Sequence, residues 1–112
     1  MKKTIEIETF YKLIGGINQL GVEAGTNAPK GGDSGAGGRT FIEISEQGGT
    51  VWDIDVVDEY GEMHSFSSPQ SVAITLGGDS ELDTTIRALE FALSALKNKI
   101  NSDEKKIRPT TI

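Results

Sequence analysis

One tetrapeptide occurs twice in this 112-residue chain, as Gly31-Gly32-Asp33-Ser34 and as Gly77-Gly78-Asp79-Ser80. The first copy stands in a run, 25–38, that holds six of the chain's 14 glycines and no branched aliphatic or aromatic residue. Such a run cannot pack as a regular element and predicts a long loop, a feature that in compact domains is usually functional or mobile. Glycines let backbone N–H groups converge on an anion because no side chain blocks the approach. Lys30 and Arg39 flank the loop with positive charge, and Thr40 follows. The second copy precedes a helical pattern, whose free first-turn N–H groups offer another anion-binding point. The candidate ligand residues are therefore Lys30, Gly31, Gly32, Asp33, Ser34, Gly35, Gly37, Arg39 and Thr40, with Gly78, Asp79, Ser80 and Arg87 from the second region. Their ligand would be a nucleotide or another phosphorylated small molecule. Asp33 and Asp79 oppose a phosphate unless each takes a ribose hydroxyl or another donor. Neither Gly-x-x-x-x-Gly-Lys-Ser/Thr nor Gly-x-Gly-x-x-Gly after a strand is present. A flexible glycine loop that wraps a neighbour, or binds nothing, is the competing reading.

Other chemistry is sparse. There is no cysteine, which removes disulfides, thiolate catalysis and cysteine–zinc sites. The single histidine, His64, lies in a strand-like run, Glu62–Phe66, and reads as a sheet histidine facing a neighbour or solvent. Asp53 and Asp55 share a strand face and could share a cation, but no further ligand stands at a recognisable spacing. No metal, no cofactor and no enzymatic activity are expected.

The elements that must hold these residues follow from periodicity. Thr4–Glu8 alternates as a short strand. Phe10, Leu13, Ile14, Ile17 and Leu20 recur at helical spacing, which predicts a short helix ending near Gly21 and weakened by Gly15-Gly16. Alternating apolar residues mark strands over Thr40–Glu46, Thr50–Asp58, Glu62–Phe66 and Val72–Leu76. Short turns at Gly48-Gly49 and Tyr60-Gly61 predict antiparallel neighbours, a four-stranded meander. Leu82, Ile86, Leu89, Leu93, Leu96 and Ile100 then form a stripe spaced 4, 3, 4, 3, 4, the mark of a long helix with Ser80 as its N-cap. The stripe is expected to cover the sheet as core, although the same spacing suits a coiled-coil seam. The fold class is α+β: a four-stranded antiparallel meander covered by a long C-terminal helix, with an N-terminal strand and short helix. Residues 1–101 are expected to form one domain and 102–112 a flexible tail.

Charge is unevenly spread. The net charge is −6, and residues 40–86 hold ten acids and no lysine or arginine. Such a surface repels a nucleic-acid polymer and attracts a basic protein. No stretch is apolar enough to cross a membrane, and the N-terminus lacks the apolar core of a signal peptide, so a cytoplasmic location is expected. Phe91 lies off the helical stripe, which predicts a homo-oligomer contact or packing on the N-terminal helix.

The loop Lys30–Thr40, with Gly77–Leu96, resembles a pattern found in small accessory proteins of bacteriophages and prophages. The resemblance implies a counter-defence role, either as an oligomeric sponge for nucleotide immune signals or as a binder of a defence enzyme, in an infected or lysogenic bacterial host. Two functions follow as expectations: a non-enzymatic sponge acting through the glycine loop, or an acidic inhibitor of the immunity type that covers a basic protein site.

Overall fold

The computed structural model describes residues 6–27, 32–98 and Pro109. It is an α+β fold with a four-stranded antiparallel sheet and one long C-terminal helix, as the periodicity predicts. The strands are β1 (Thr9–Ile14), β2 (Gln19–Thr26), β3 (Arg39–Gly48), β4 (Asp53–Val57), β5 (Met63–Ser67) and β6 (Ser71–Gly77), followed by α1 (Asp79–Asn98). The four-stranded sheet runs β1-β2-β3-β6, and β4-β5 form a separate two-stranded sheet. The described residues fall into two compact units that divide after Leu82.

The expected N-terminal helix is a β-hairpin instead. Gly15 adopts φ 107° and turns the chain between β1 and β2. A Cβ there would stand 2.1 Å from the Asn18 carbonyl oxygen. Two adjacent glycines cost a helix about 2 kcal/mol. Thr9, Phe10, Tyr11 and Ile14, by contrast, are β-branched or aromatic and suit a pleated surface. The register pairs Phe10 with Ala24 and Lys12 with Val22. Helical spacing across residues 10–20 thus coincided with two strands and a turn. Of the expected strand Thr4–Glu8, Glu6–Glu8 have no regular structure and the remainder lies outside the described residues.

The expected meander is also reorganised. β3 pairs directly with β6, joining Thr40 to Leu76, Ile42 to Ile74 and Ile44 to Val72. Across the sheet, Phe10, Ala24, Ile42 and Ile74 form one row and Lys12, Val22, Ile44 and Val72 another, so one face is apolar apart from Lys12 on the edge strand. The intervening β4-β5 hairpin is pinched off at its base. The Glu46 amide donates to the Gln70 carbonyl at 2.8 Å, and Gln70 Nε2 donates back to the Glu46 carbonyl at 2.7 Å. Trp52 Nε1 donates to the Pro69 carbonyl at 2.8 Å, and the Ser68 amide to the Trp52 carbonyl at 3.0 Å. These four bonds let β3 and β6 become neighbours while the hairpin pairs with itself.

α1 carries the apolar stripe from Leu82 to Leu96, with none of its residues buried, and Ile100 lies outside the described residues. Ile86, Leu89, Leu93 and Leu96 are 47%, 54%, 55% and 82% exposed. Among the described residues no apolar side chain is buried, and Thr40 is the buried polar residue.

Candidate functional site

Two regions carry the groups with chemical potential: the glycine loop with the second tetrapeptide, and the β4-β5 hairpin.

The loop is a folded turn held by its own backbone. The Asp33 carbonyl accepts from the amides of Ala36 (3.1 Å) and Gly38 (2.9 Å), and the Ser34 carbonyl accepts from Gly37 (3.3 Å). Asp33 Oδ1 takes a second bond from the Ala36 amide at 2.7 Å. Asn27 clamps the exit: its Nδ2 donates to the Gly37 carbonyl at 2.9 Å, and its Oδ1 accepts from the Arg39 amide at 2.8 Å. Arg39 folds back, with Nη1 donating to the carbonyls of Ser34 (2.9 Å) and Gly38 (2.7 Å). A short polar run with several glycines can fold this way because Asp and Asn side chains substitute for backbone partners.

The two tetrapeptides meet. The Gly78 amide donates to the Gly38 carbonyl at 2.7 Å, and the Asp79 amide to the Gly32 carbonyl at 2.9 Å. Glycine is required by proximity. A Cβ on Gly38 would lie 2.0 Å from the Gly32 oxygen and 3.1 Å from the Gly78 Cα, and one on Gly77 would lie 2.9 Å from the Ser34 Cβ. Gly78, at φ 89°, also accepts the first helical bond, from the Leu82 amide at 3.3 Å. Gly78 is thus the N-cap, and Ser80, expected in that role, sits in the first turn of α1.

Of the candidate ligand residues, Gly32, Asp33, Ser34, Gly35, Gly37 and Arg39 meet Gly78 and Asp79 in this clasp. Thr40 lies one residue further on in β3, its hydroxyl 2.9 Å from that of Thr26. Arg87 belongs to the other unit and is 3.7 Å from Asp83 on its own helix. Lys30 and Gly31 lie outside the described residues. The amides of Gly37, Arg39, Gly78 and Asp79 and the Arg39 Nη1 are already spent on the clasp, while the amides of Gly32, Asp33, Ser34 and Gly35 donate to no group among the described residues. Acids crowd the same place: Glu81 borders Gly77 and Gly78, and Asp79 Oδ1 is buried with no hydrogen-bond partner among the described residues.

The hairpin β4-β5 is fastened at its tip by Asp58. Its Oδ1 accepts from the amides of Tyr60 and Glu62, both at 2.9 Å, and its Oδ2 lies 2.9 Å from His64 Nε2. The His64 bond, followed by the backbone bonds, holds the Asp58 carboxyl below its ordinary pKa. His64 is a sheet histidine facing a neighbour, as expected. Asp58, Glu62 and His64 bring three ligand-type atoms within 4.8 Å of one another. Sequence spacing concealed this grouping because the turn at Gly61, φ 82°, folds 58 back onto 64.

The register puts Asp53 opposite Ser67 and Asp55 opposite Ser65 on one hairpin face, with Ile54 opposite Phe66 and Val56 opposite His64 on the other. That second face borders a cleft of about 270 Å³ lined by Ile54, Val56 and Phe66, and by Pro69, Val72 and Ala73 from the β6 side. No sequence signal marked the cleft, since it needs β6 beside a hairpin that has left the main sheet. Val56, Val57, Tyr60, Met63 and Phe66 are all exposed, at 48–83%.

No helix among the described residues is long and apolar enough to cross a membrane. Comparison with family models, curated proteins and solved structures finds no match.

Proposed function

We propose that this chain is a non-enzymatic binding protein whose β4-β5 hairpin takes up a basic, amphipathic protein segment. The observation that carries this reading is the apolar cleft on a hairpin that bears Asp53, Asp55, Asp58, Glu59 and Glu62, in a stretch without any lysine or arginine. An exposed apolar surface on an element of one sign of charge is the pattern of a protein-binding site, with Asp53 and Asp55 on the far face of the hairpin acting through their field and not by lining the cleft. The cleft accepts an aliphatic or aromatic anchor, and the acids speed and orient the approach of a cationic partner. This corresponds to the acidic-inhibitor function. Trp52, the only tryptophan, bonds the residue that borders the cleft and so reports on it. The test is a fluorescence titration of the full chain with an amphipathic Lys/Leu peptide and its Glu/Leu counterpart. The basic peptide should bind, weaken as salt rises and lose affinity to a Phe66→Ser variant. Equal binding of both peptides, or of neither, refutes the proposal.

A second reading, the sponge for a phosphorylated small molecule, is supported by the amides of Asp33, Ser34 and Gly35, which have no acceptor among the described residues, in the same loop as the Arg39 guanidinium. Under the phage resemblance its ligand would be a nucleotide signal of host defence. A thermal-shift screen of mono-, di- and cyclic nucleotides tests it. A ligand that raises the melting temperature of wild type but not of Arg39→Ala supports it, and no shift with any nucleotide removes it.

A further inference from the structure

The exposed stripe on α1 has a heptad character. Leu82, Leu89 and Leu96 occupy one series of seam positions, and Ile86 and Leu93 the other, in a 4-3 alternation. Ile86, Leu89, Leu93 and Leu96 are about half exposed or more, and no apolar side chain among the described residues is buried.

Charge says what covers the stripe. The positions flanking the seam on the side that follows Leu82, Leu89 and Leu96 are Asp83, Glu90 and Lys97. The helix starts acidic, with Asp79 and Glu81, and ends basic with Lys97. Two copies running antiparallel stack Ile86 on Leu96 and Leu89 on Leu93. They also set Asp83 of each beside Lys97 of the other, and put each acidic first turn against a basic last turn. Two copies running parallel and in register place like ends together and leave Asp83 and Lys97 unmatched. Asp83 is only loosely held within its own chain, 3.7 Å from Arg87 with both side chains more than 70% exposed. Lys97 has no ion-pair partner among the described residues.

We infer that the α1 stripe is the seam of an antiparallel helix pair formed with a second copy of this chain. Phe91 lies on the side of α1 away from that seam, so the contact is made by the stripe and not by Phe91. Glu90 meets Glu90 of the second copy at the two-fold axis, and this is the one repulsive contact of the pairing.

Sedimentation of the full chain, supported by cross-linking, tests the inference. Wild type and Phe91→Ser should sediment as dimers at about 10 μM, and Leu89→Asp as a monomer with its sheet circular dichroism kept. Should Leu89→Asp fail to fold, the charge variants decide. Lys97→Glu should weaken the dimer about fivefold, as expected for two exposed ion pairs, and Asp83→Lys in the same chain should restore it. The chain is free of cysteine, so an introduced one reports orientation. Ala92→Cys should oxidise to a covalent dimer and Leu89→Cys should not. A wild-type monomer at about 100 μM, a charge pair that does not rescue, or cross-linking at Leu89→Cys in place of Ala92→Cys overturns the inference.

Discussion

Replacing Gly38 by alanine tests whether the two tetrapeptides form a clasp or merely pass near each other. The added Cβ would stand 2.0 Å from the Gly32 carbonyl oxygen, a backbone atom that cannot swing aside like a side chain. Loop and turn must part by about 1 Å or more to restore ordinary contact. That displacement breaks the bonds from Gly78 to Gly38 and from Asp79 to Gly32. Each is worth about 0.5–1.5 kcal/mol net. Alanine also restricts the unfolded chain, which returns about 0.4–1 kcal/mol. The net loss is about 1–2 kcal/mol. Gly35 is the internal control, because a Cβ there meets nothing nearer than Asp33 Oδ1 at 3.4 Å and its φ is not positive. Gly35→Ala should be neutral or slightly stabilising. Urea denaturation followed by Trp52 fluorescence gives both values, and hydrogen exchange at the Gly78 and Asp79 amides shows whether the clasp has opened. Equal stability of Gly38→Ala and Gly35→Ala, with unchanged exchange at those amides, would refute the clasp.

Four further outcomes are expected. Gly15→Ala should destabilise the protein by about 1 kcal/mol or more, because the site needs φ 107° and meets the Asn18 carbonyl; a helix here would instead be stabilised, so the sign in a thermal melt decides between hairpin and helix. Arg39→Ala removes two charge-assisted bonds to the carbonyls of Ser34 and Gly38, and should cost about 1–2 kcal/mol in urea titration even without any ligand. Trp52→Phe removes the bond to Pro69 and should cost about 1 kcal/mol, with faster hydrogen exchange in β4 and β5. Asp58 has a folded pKa below its ordinary value, so its stabilisation is full above about pH 4 and disappears as pH falls through the lower folded value; NMR titration should show this carboxyl moving back toward the ordinary value in His64→Ala.

The sheet was legible where alternation is strict. Ile42 and Ile44 face Ile74 and Val72 across one ladder, as their alternation requires. Partner choice was not legible. Strands at 53–57 and 63–67 sit between β3 and β6 in the chain, and short turns favour consecutive pairing. The bonds that close the hairpin base at Glu46, Gln70, Trp52 and Pro69 span 17 to 24 residues and leave no local mark. The N-terminal segment misled because steps of three and four also fit residues split between two strands by a turn. For the site, the repeated Gly-Gly-Asp-Ser was visible and its two copies do meet. What the repeat could not show is the direction of its amides: those of Gly78 and Asp79 point into the loop, at the carbonyls of Gly38 and Gly32. The grouping of Asp58 and His64 depends on one glycine at positive φ, and the hydrophobic cleft depends on the displaced hairpin.

The pinched base of the β4-β5 hairpin makes residues 47–69 an exchangeable cassette. Glu46 and Gln70 already join the ends of β3 and β6 across the gap, so the order β1-β2-β3-β6 does not need the hairpin's sequence. Residues on this insert can drift in length, charge and shape while the ladder beneath stays in register. A chain in which a short turn replaces 47–69 should keep the register of Ile42 with Ile74 and lose the acidic, apolar-lined surface in one step. Grafting the same segment between two adjacent antiparallel strands of another protein should carry the acidic hairpin with it but not the cleft, whose Val72 and Ala73 stay behind on β6.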